Sequence, residues 1–245
     1  MKKYFQAPWT IKEVLIVLIA AIFLIGTTVI ISNFISLEEI KDSPNKSYYI
    51  LLGLLIQWFL ILAPLLIVTA KNHGLKFSHF GTEKIPFWKG FWKVIEAYFL
   101  FIAISIIISF LIIYFGIEIP GYQVQEDILP LFGDGMSNLV IAGIVIVLIA
   151  PIVEEFFFRG FLLRSLSDKV GIYYGSAITA FLFAIFHFQW QSIIPIFILS
   201  LIINSLVIRT RSIYPAIGFH ILNNGISFAV QLLLSAKVIS IENVV

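Results

Sequence analysis

The chain has 245 residues, of which 60% are hydrophobic and only 12% charged, and its mean hydropathy is +1.03. Soluble domains are about half apolar and about a quarter charged, and 24 Phe against 16 Lys and Arg leave too few polar side chains to cover a soluble surface. A net charge of +2 with no long basic run excludes a nucleic-acid footprint, and the absence of cysteine excludes disulfides, thiolate metal sites, iron–sulfur clusters and cysteine nucleophiles.

Apolar runs of bilayer-spanning length are expected to form seven helices. The first, Val14 to Ser32, follows Lys2, Lys3 and Lys12 and lacks a small-x-small cleavage site. It reads as an uncleaved span rather than a secretory signal. The second runs from Tyr48 to Ala70. After it, Ile85 to Lys93 mixes aromatics with lysines, as segments lying at headgroup level do. The third span is Val94 to Phe115. The fourth, Asn138 to Leu166, is long enough to tilt or to project into water. The fifth, Ile172 to His187, and the sixth, Ile193 to Ile208, are short, and the sixth is open to a re-entrant reading. The seventh is Ile213 to Ser235. Pro151 and Pro195 are expected to kink helices or shift their ends. No internal repeat or low-complexity linker interrupts the series. The expected fold is an all-α polytopic transmembrane helix bundle of about seven spans, forming a single membrane domain.

Basic residues set the expected orientation. With the N-terminus inside, one face collects Lys2, Lys3, Lys12, Lys71, Lys76, Lys84, Lys89, Lys93, Arg159, Arg164, Lys169, Arg209 and Arg211, while the other has Lys41, Lys46 and Lys237. The loop holding Glu118, Glu126, Asp127 and Asp134 carries no base. This alternation implies an N-in, C-out topology.

Three clusters interrupt the apolar runs. In the fourth span, Glu154, Glu155 and Arg159 each cost about 2.5–3.5 kcal/mol at a helix centre, enough together to cancel most of the span's drive to insert. Such groups must face a bundle interior or a wet cavity. Glu155 and Arg159 stack one turn apart, with the acid first, the better order for an ion pair. Glu154 points about 100° away and lacks that partner. His187 ends the fifth span. If the fourth and fifth spans form a hairpin turning near Asp168 to Gly171, opposed residues share a constant index sum, which brings Glu154 and His187 to one depth. In the seventh span His220 and Asn224 share a face, and their side chains offer donors for a developing oxyanion. Helix packing accounts for His and Asn in membranes equally well. Gln57, Glu96, Asn204 and Gln231 read as packing or boundary residues.

Glu154-Glu155-x-x-x-Arg159, Phe183-x-x-x-His187 and His220-x-x-x-Asn224, in this order on apolar helices, resemble the motifs of the CAAX protease and bacteriocin-processing (CPBP, or Abi) family, related to type II CAAX prenyl proteases. The similarity covers about Asn138 to Leu232. It implies an intramembrane endopeptidase in a bacterial cell membrane, acting on a membrane-associated peptide or protein. It also implies a division into N-terminal helices with the interfacial segment, 1–137, and a catalytic core, 138–235. Carried across, it makes Glu154 the general base, His187 its partner at the water, and His220 with Asn224 the oxyanion stabilisers, with Glu155 and Arg159 in support.

A carboxylate in a low-dielectric cavity has the proton affinity to take and return a proton near neutrality, so the chemistry is plausible without the family. Glu154, His187 and His220 also make a conceivable zinc set. The glutamate-water scheme accounts for Asn224 better, and no obligatory metal or cofactor is expected. No His-Glu-x-x-His, no Gly-x-Ser-Gly and no pair of membrane aspartates supports another intramembrane protease chemistry. Two rival functions use the same residues: a proton- or ion-coupled transporter, and a non-catalytic immunity or scaffold protein of the same fold.

Overall fold

The computed structural model describes residues 2–34, 46–74, 76–123, 125, 129–132 and 135–235. Among the described residues there are seven long helices: α1 (Ile11–Phe34), α2 (Lys46–His73), α3 (Phe87–Phe115), α4 (Met136–Val170), α5 (Ile172–Phe186), α6 (Ile193–Thr210) and α7 (Tyr214–Ser235). There is no strand among the described residues. A helix satisfies its own backbone, as hydrocarbon demands. α2, α3, α4, α7 and the Trp190–Thr210 segment that contains α6 are long and apolar enough to cross a membrane. α5, with 15 residues, rises about 22 Å against about 30 Å of hydrocarbon. Large apolar side chains such as Ile113, Phe99 and Ile67 lie 80%, 70% and 63% exposed. Only a lipid environment makes such a surface favourable.

Local chemistry sets the helix ends. Thr10 and Glu13 form a reciprocal cap on α1: Thr10 N donates to Glu13 Oε2 at 2.7 Å and Glu13 N to Thr10 Oγ1 at 3.3 Å. The Glu13 carboxylate also accepts from Asn72 Nδ2 at 2.6 Å and meets His73 Nε2 at 3.0 Å, tying the start of α1 to the end of α2. At the start of α3, Phe87, Trp88 and Trp92 are exposed beside Lys89 and Lys93.

α4 runs unbroken for 35 residues and extends beyond both sequence-derived ends. It widens into π-helical turns at Ile144–Ile149 and Phe156–Leu163, which leave a short α-helical stretch, Ala150–Glu155, between them. Such widened turns concentrate at functional sites because they re-aim side chains and free carbonyls. Gly171, at φ 86°, then reverses the chain into α5. The two helices close on Gly175, where an added Cβ would stand 2.5 Å from Ser167 N, so only glycine permits this approach.

Trp9, Phe80, Phe157, Phe158, Phe161 and Phe183 pack into one buried cluster, with Trp9 Nε1 donating to Ser165 Oγ. Two of the bases counted from sequence on the expected inner face are not solvated. Arg159 is wholly buried in the bundle interior, and Arg164 is 4% exposed with its guanidinium 4.5 Å from the Tyr4 ring centroid. The remaining bases still outnumber those of the opposite face, so the charge bias that set the expected orientation is smaller but keeps its sign.

Candidate active site

Glu154 and Glu155 are neighbours in sequence but face different environments, because successive helical residues diverge by about 100°. Glu155 is fully buried. Its Oε1 accepts from Arg159 Nη1 at 2.8 Å, one turn on, and from His220 Nδ1 at 2.9 Å. Arg159 spends its other donors on α6: Nε donates to Asn204 Oδ1 at 3.1 Å and Nη2 to Ser200 Oγ at 2.7 Å. Asn204 Nδ2 passes the link to α5 by donating to Ser176 O at 2.9 Å. A buried guanidinium is tolerated only when paired and hydrogen-bonded, and this network supplies both.

Glu154 faces a cavity of about 370 Å³ lined by all the long helices except α3. Its Oε2 has no hydrogen-bond partner among the described residues. Yet it stands 3.9 Å from His187 Nε2 and 3.9 Å from His220 Nε2. Those separations exceed a direct hydrogen bond and are of the size a bridging water spans.

Both imidazoles are held at the other nitrogen. His187 Nδ1 donates to Phe183 O at 2.7 Å, and His220 Nδ1 donates to the Glu155 carboxylate. The oxygens only accept, which assigns the proton to Nδ1 in each ring and turns both Nε2 atoms toward Glu154. The Phe183 ring lies among them, its centroid 4.5 Å from that of His187, 5.8 Å from that of His220 and 4.4 Å from Arg159 Cζ. After His187 the chain turns at Phe188, whose φ of 53° is unusual for a bulky residue, so backbone strain sits beside the site.

Asn224 reaches the same cavity from α7. Its Nδ2 donates to Ile146 O at 3.0 Å, which leaves the second amide hydrogen uncommitted to that bond.

The structure thus brings Glu154, His187, His220 and Asn224 to one cavity and places Glu155 and Arg159 directly behind them. Three groups that the sequence marks only as packing or boundary residues take part as well. Asn204 belongs to the Arg159 network, and Gln57 and Gln231 line the cavity together with Trp58. Ser200 and Ser176 escape the sequence reading altogether. The Ser200-x-x-x-Asn204 spacing on α6 is the available signal for the first, whereas nothing local marks Ser176. Glu96, read as a boundary group, pairs with Lys93 and Arg209 at the surface.

The imidazole arrangement, each Nδ1 anchored to an oxygen, is one that metal-ligating histidines also use. Among the described residues, however, no three His, Cys, Asp or Glu side chains stand as a metal-ligating group.

Residues 136–226 match the family model described as Type II CAAX prenyl endopeptidase Rce1-like. This stretch contains all three motifs and begins and ends within a few residues of the sequence-derived similarity. No curated protein matches the chain, and no solved structure does.

Proposed function

We propose that this chain, which carries a type II CAAX prenyl endopeptidase Rce1-like domain at 136–226, is an intramembrane endopeptidase that hydrolyses a peptide bond of a membrane-associated protein or peptide. The observation that carries this reading is the placement of Glu154 Oε2 at 3.9 Å from two imidazole Nε2 atoms, within a cavity roomy enough for a peptide segment as well as water. The donors as placed suit acid-base work on a water.

In the proposed reaction a water sits between Glu154 Oε2 and His187 Nε2. Glu154 removes its proton while His187, held in one tautomer by Phe183 O, orients it. The hydroxide adds to the scissile carbonyl, and the oxyanion forms against His220 Nε2 and the free amide hydrogen of Asn224. For Nε2 to donate while Nδ1 is bonded to Glu155, the His220 ring must be an imidazolium. The Glu155 carboxylate behind it stabilises that charge, as the buried acid of a hydrolase triad does, and Arg159 holds Glu155 in place. Glu154 then returns its proton to the leaving nitrogen as the tetrahedral adduct collapses.

The cavity is lined from α1, α2, α4, α5, α6 and α7, with Phe132 and Gln189 from the connections between them. Carboxamides from Gln57, Gln231 and Asn223 border the cavity and match the donor and acceptor needs of an extended peptide backbone.

The test compares purified, reconstituted wild type with Glu154→Gln against membrane peptides that accumulate in cells lacking the activity. Loss of cleavage by about 10²–10⁴-fold is expected. Undiminished cleavage by the Gln variant would defeat the assignment.

A further inference from the structure

The bond from Asn224 to Ile146 O sits at a defect in α4. In the π-helical turn Ile144–Ile149 the donors reach five residues back: Ala150 N–H bonds Val145 O. One residue further, the acceptor in the same register is Ile146 O and the donor position is Pro151, which has no N–H. In α-helical register the donor to Ile146 O would be Ala150, which is bonded to Val145 O. Ile146 O is thus the carbonyl that Pro151 deprives of its donor, and it is the carbonyl to which Asn224 Nδ2 donates at 3.0 Å. In a membrane interior a backbone group left without a partner costs several kcal/mol, so such a defect needs filling from outside the helix.

Glu154 lies one turn beyond Pro151, near the end of the six-residue α-helical stretch that the two π-helical turns enclose. The height and azimuth of its carboxylate therefore depend on how the first π-helical turn is closed. We propose that Asn224 is a positioning residue, and that the larger part of its contribution to hydrolysis comes from supplying the donor Pro151 cannot, which locks the turn that aims Glu154 at the two histidines. This rests on the endopeptidase reading and adds to it a division of labour: His220 is the main donor to the oxyanion, and Asn224 chiefly splices α7 onto the broken ladder of α4.

The inference makes an epistatic prediction that an oxyanion role does not. Replacing Pro151 by Ala restores a backbone N–H at the position that serves Ile146 O, so Pro151→Ala should make Asn224 largely dispensable. Four proteins are compared in the full chain: wild type, Pro151→Ala, Asn224→Ala and the double variant. Thermal unfolding in detergent and kcat and KM on the peptide that accumulates with Glu154→Gln are measured for each. Asn224→Ala is expected to lower kcat by about 10²-fold with KM little changed, the size of loss that a misplaced catalytic group causes. Pro151→Ala alone should stay within about threefold of wild type, and the double variant should recover at least about tenfold of the loss, a coupling that a double-mutant cycle isolates.

If Asn224→Ala fails to fold, restored folding and cleavage in the double variant support the splice, and failure of both variants overturns it. A double variant as slow as Asn224→Ala likewise overturns it and returns Asn224 to the oxyanion. The two levels separate when Glu154→Gln is assayed beside these four, because cleavage that survives Glu154→Gln removes the endopeptidase reading itself, whatever the cycle shows.

Discussion

At the scale of single residues, the site depends on a division between two adjacent carboxylates. Glu155 Oε1 accepts from both Arg159 and His220, whereas Glu154, facing the cavity, makes neither bond; the Oε2 atom of each has no hydrogen-bond partner among the described residues. Removing Arg159 strands Glu155 as a buried charge. Arg159→Ala is therefore expected to destabilise the protein by about 3–5 kcal/mol, read as a lower midpoint of thermal unfolding in detergent. Arg159→Lys should recover little of it, because one ammonium group cannot replace donors aimed at Glu155, Ser200 and Asn204 together. His187→Ala should leave the unfolding midpoint near that of wild type and abolish cleavage, since the hydrogen bond of His187 to Phe183 O stays within one turn of the chain and ties no second helix. With a glutamate-activated water, cleavage should persist after exhaustive chelation, with no zinc found by elemental analysis. A loss on chelation that added zinc restores would move the chemistry to a metal.

At the scale of elements, the juxtaposition of Glu154 with His187 is a property of the α4–α5 hairpin. Gly171 turns the chain and Gly175 lets the helices close, so the register of the two arms is set well away from the site it serves. Gly175→Ala would press a methyl group into the Ser167 backbone. Overpacking of this kind costs about 1–3 kcal/mol, and the arms should separate or slip. The expected outcome is a lower unfolding midpoint together with reduced kcat, although the mutation lies about three turns of α5 from His187. A variant with normal kcat would show that the hairpin does not set the site. The constant index sum about the Asp168 to Gly171 turn was readable from sequence because a helical hairpin is a linear object. The π-helical turns on either side of Glu154 were not readable, because the first of them depends on Pro151 together with Asn224 from the last helix, a pairing no local pattern expresses.

At the scale of the whole molecule, the distribution of charge and apolar surface makes a prediction about sidedness. The protein has no cysteine, so single cysteines can be introduced without a background. In intact cells a membrane-impermeant thiol reagent should modify Glu118→Cys and spare Lys71→Cys until the membrane is opened. The reverse pattern would invert the orientation. Composition and the spacing of apolar runs by themselves determined the membrane location, the helical class and the approximate extent of each long helix, because transfer to hydrocarbon is a local sum over residues. The three motifs likewise contain Glu154, His187, His220 and Asn224, which line one cavity. Only the tertiary structure decided that Arg159 is an interior residue held by Ser200 and Asn204, that Gln57 and Gln231 border a cavity, and that Asn224 meets Ile146. Those facts follow from contacts between distant helices, whose energies are pairwise and leave no periodic trace along the chain.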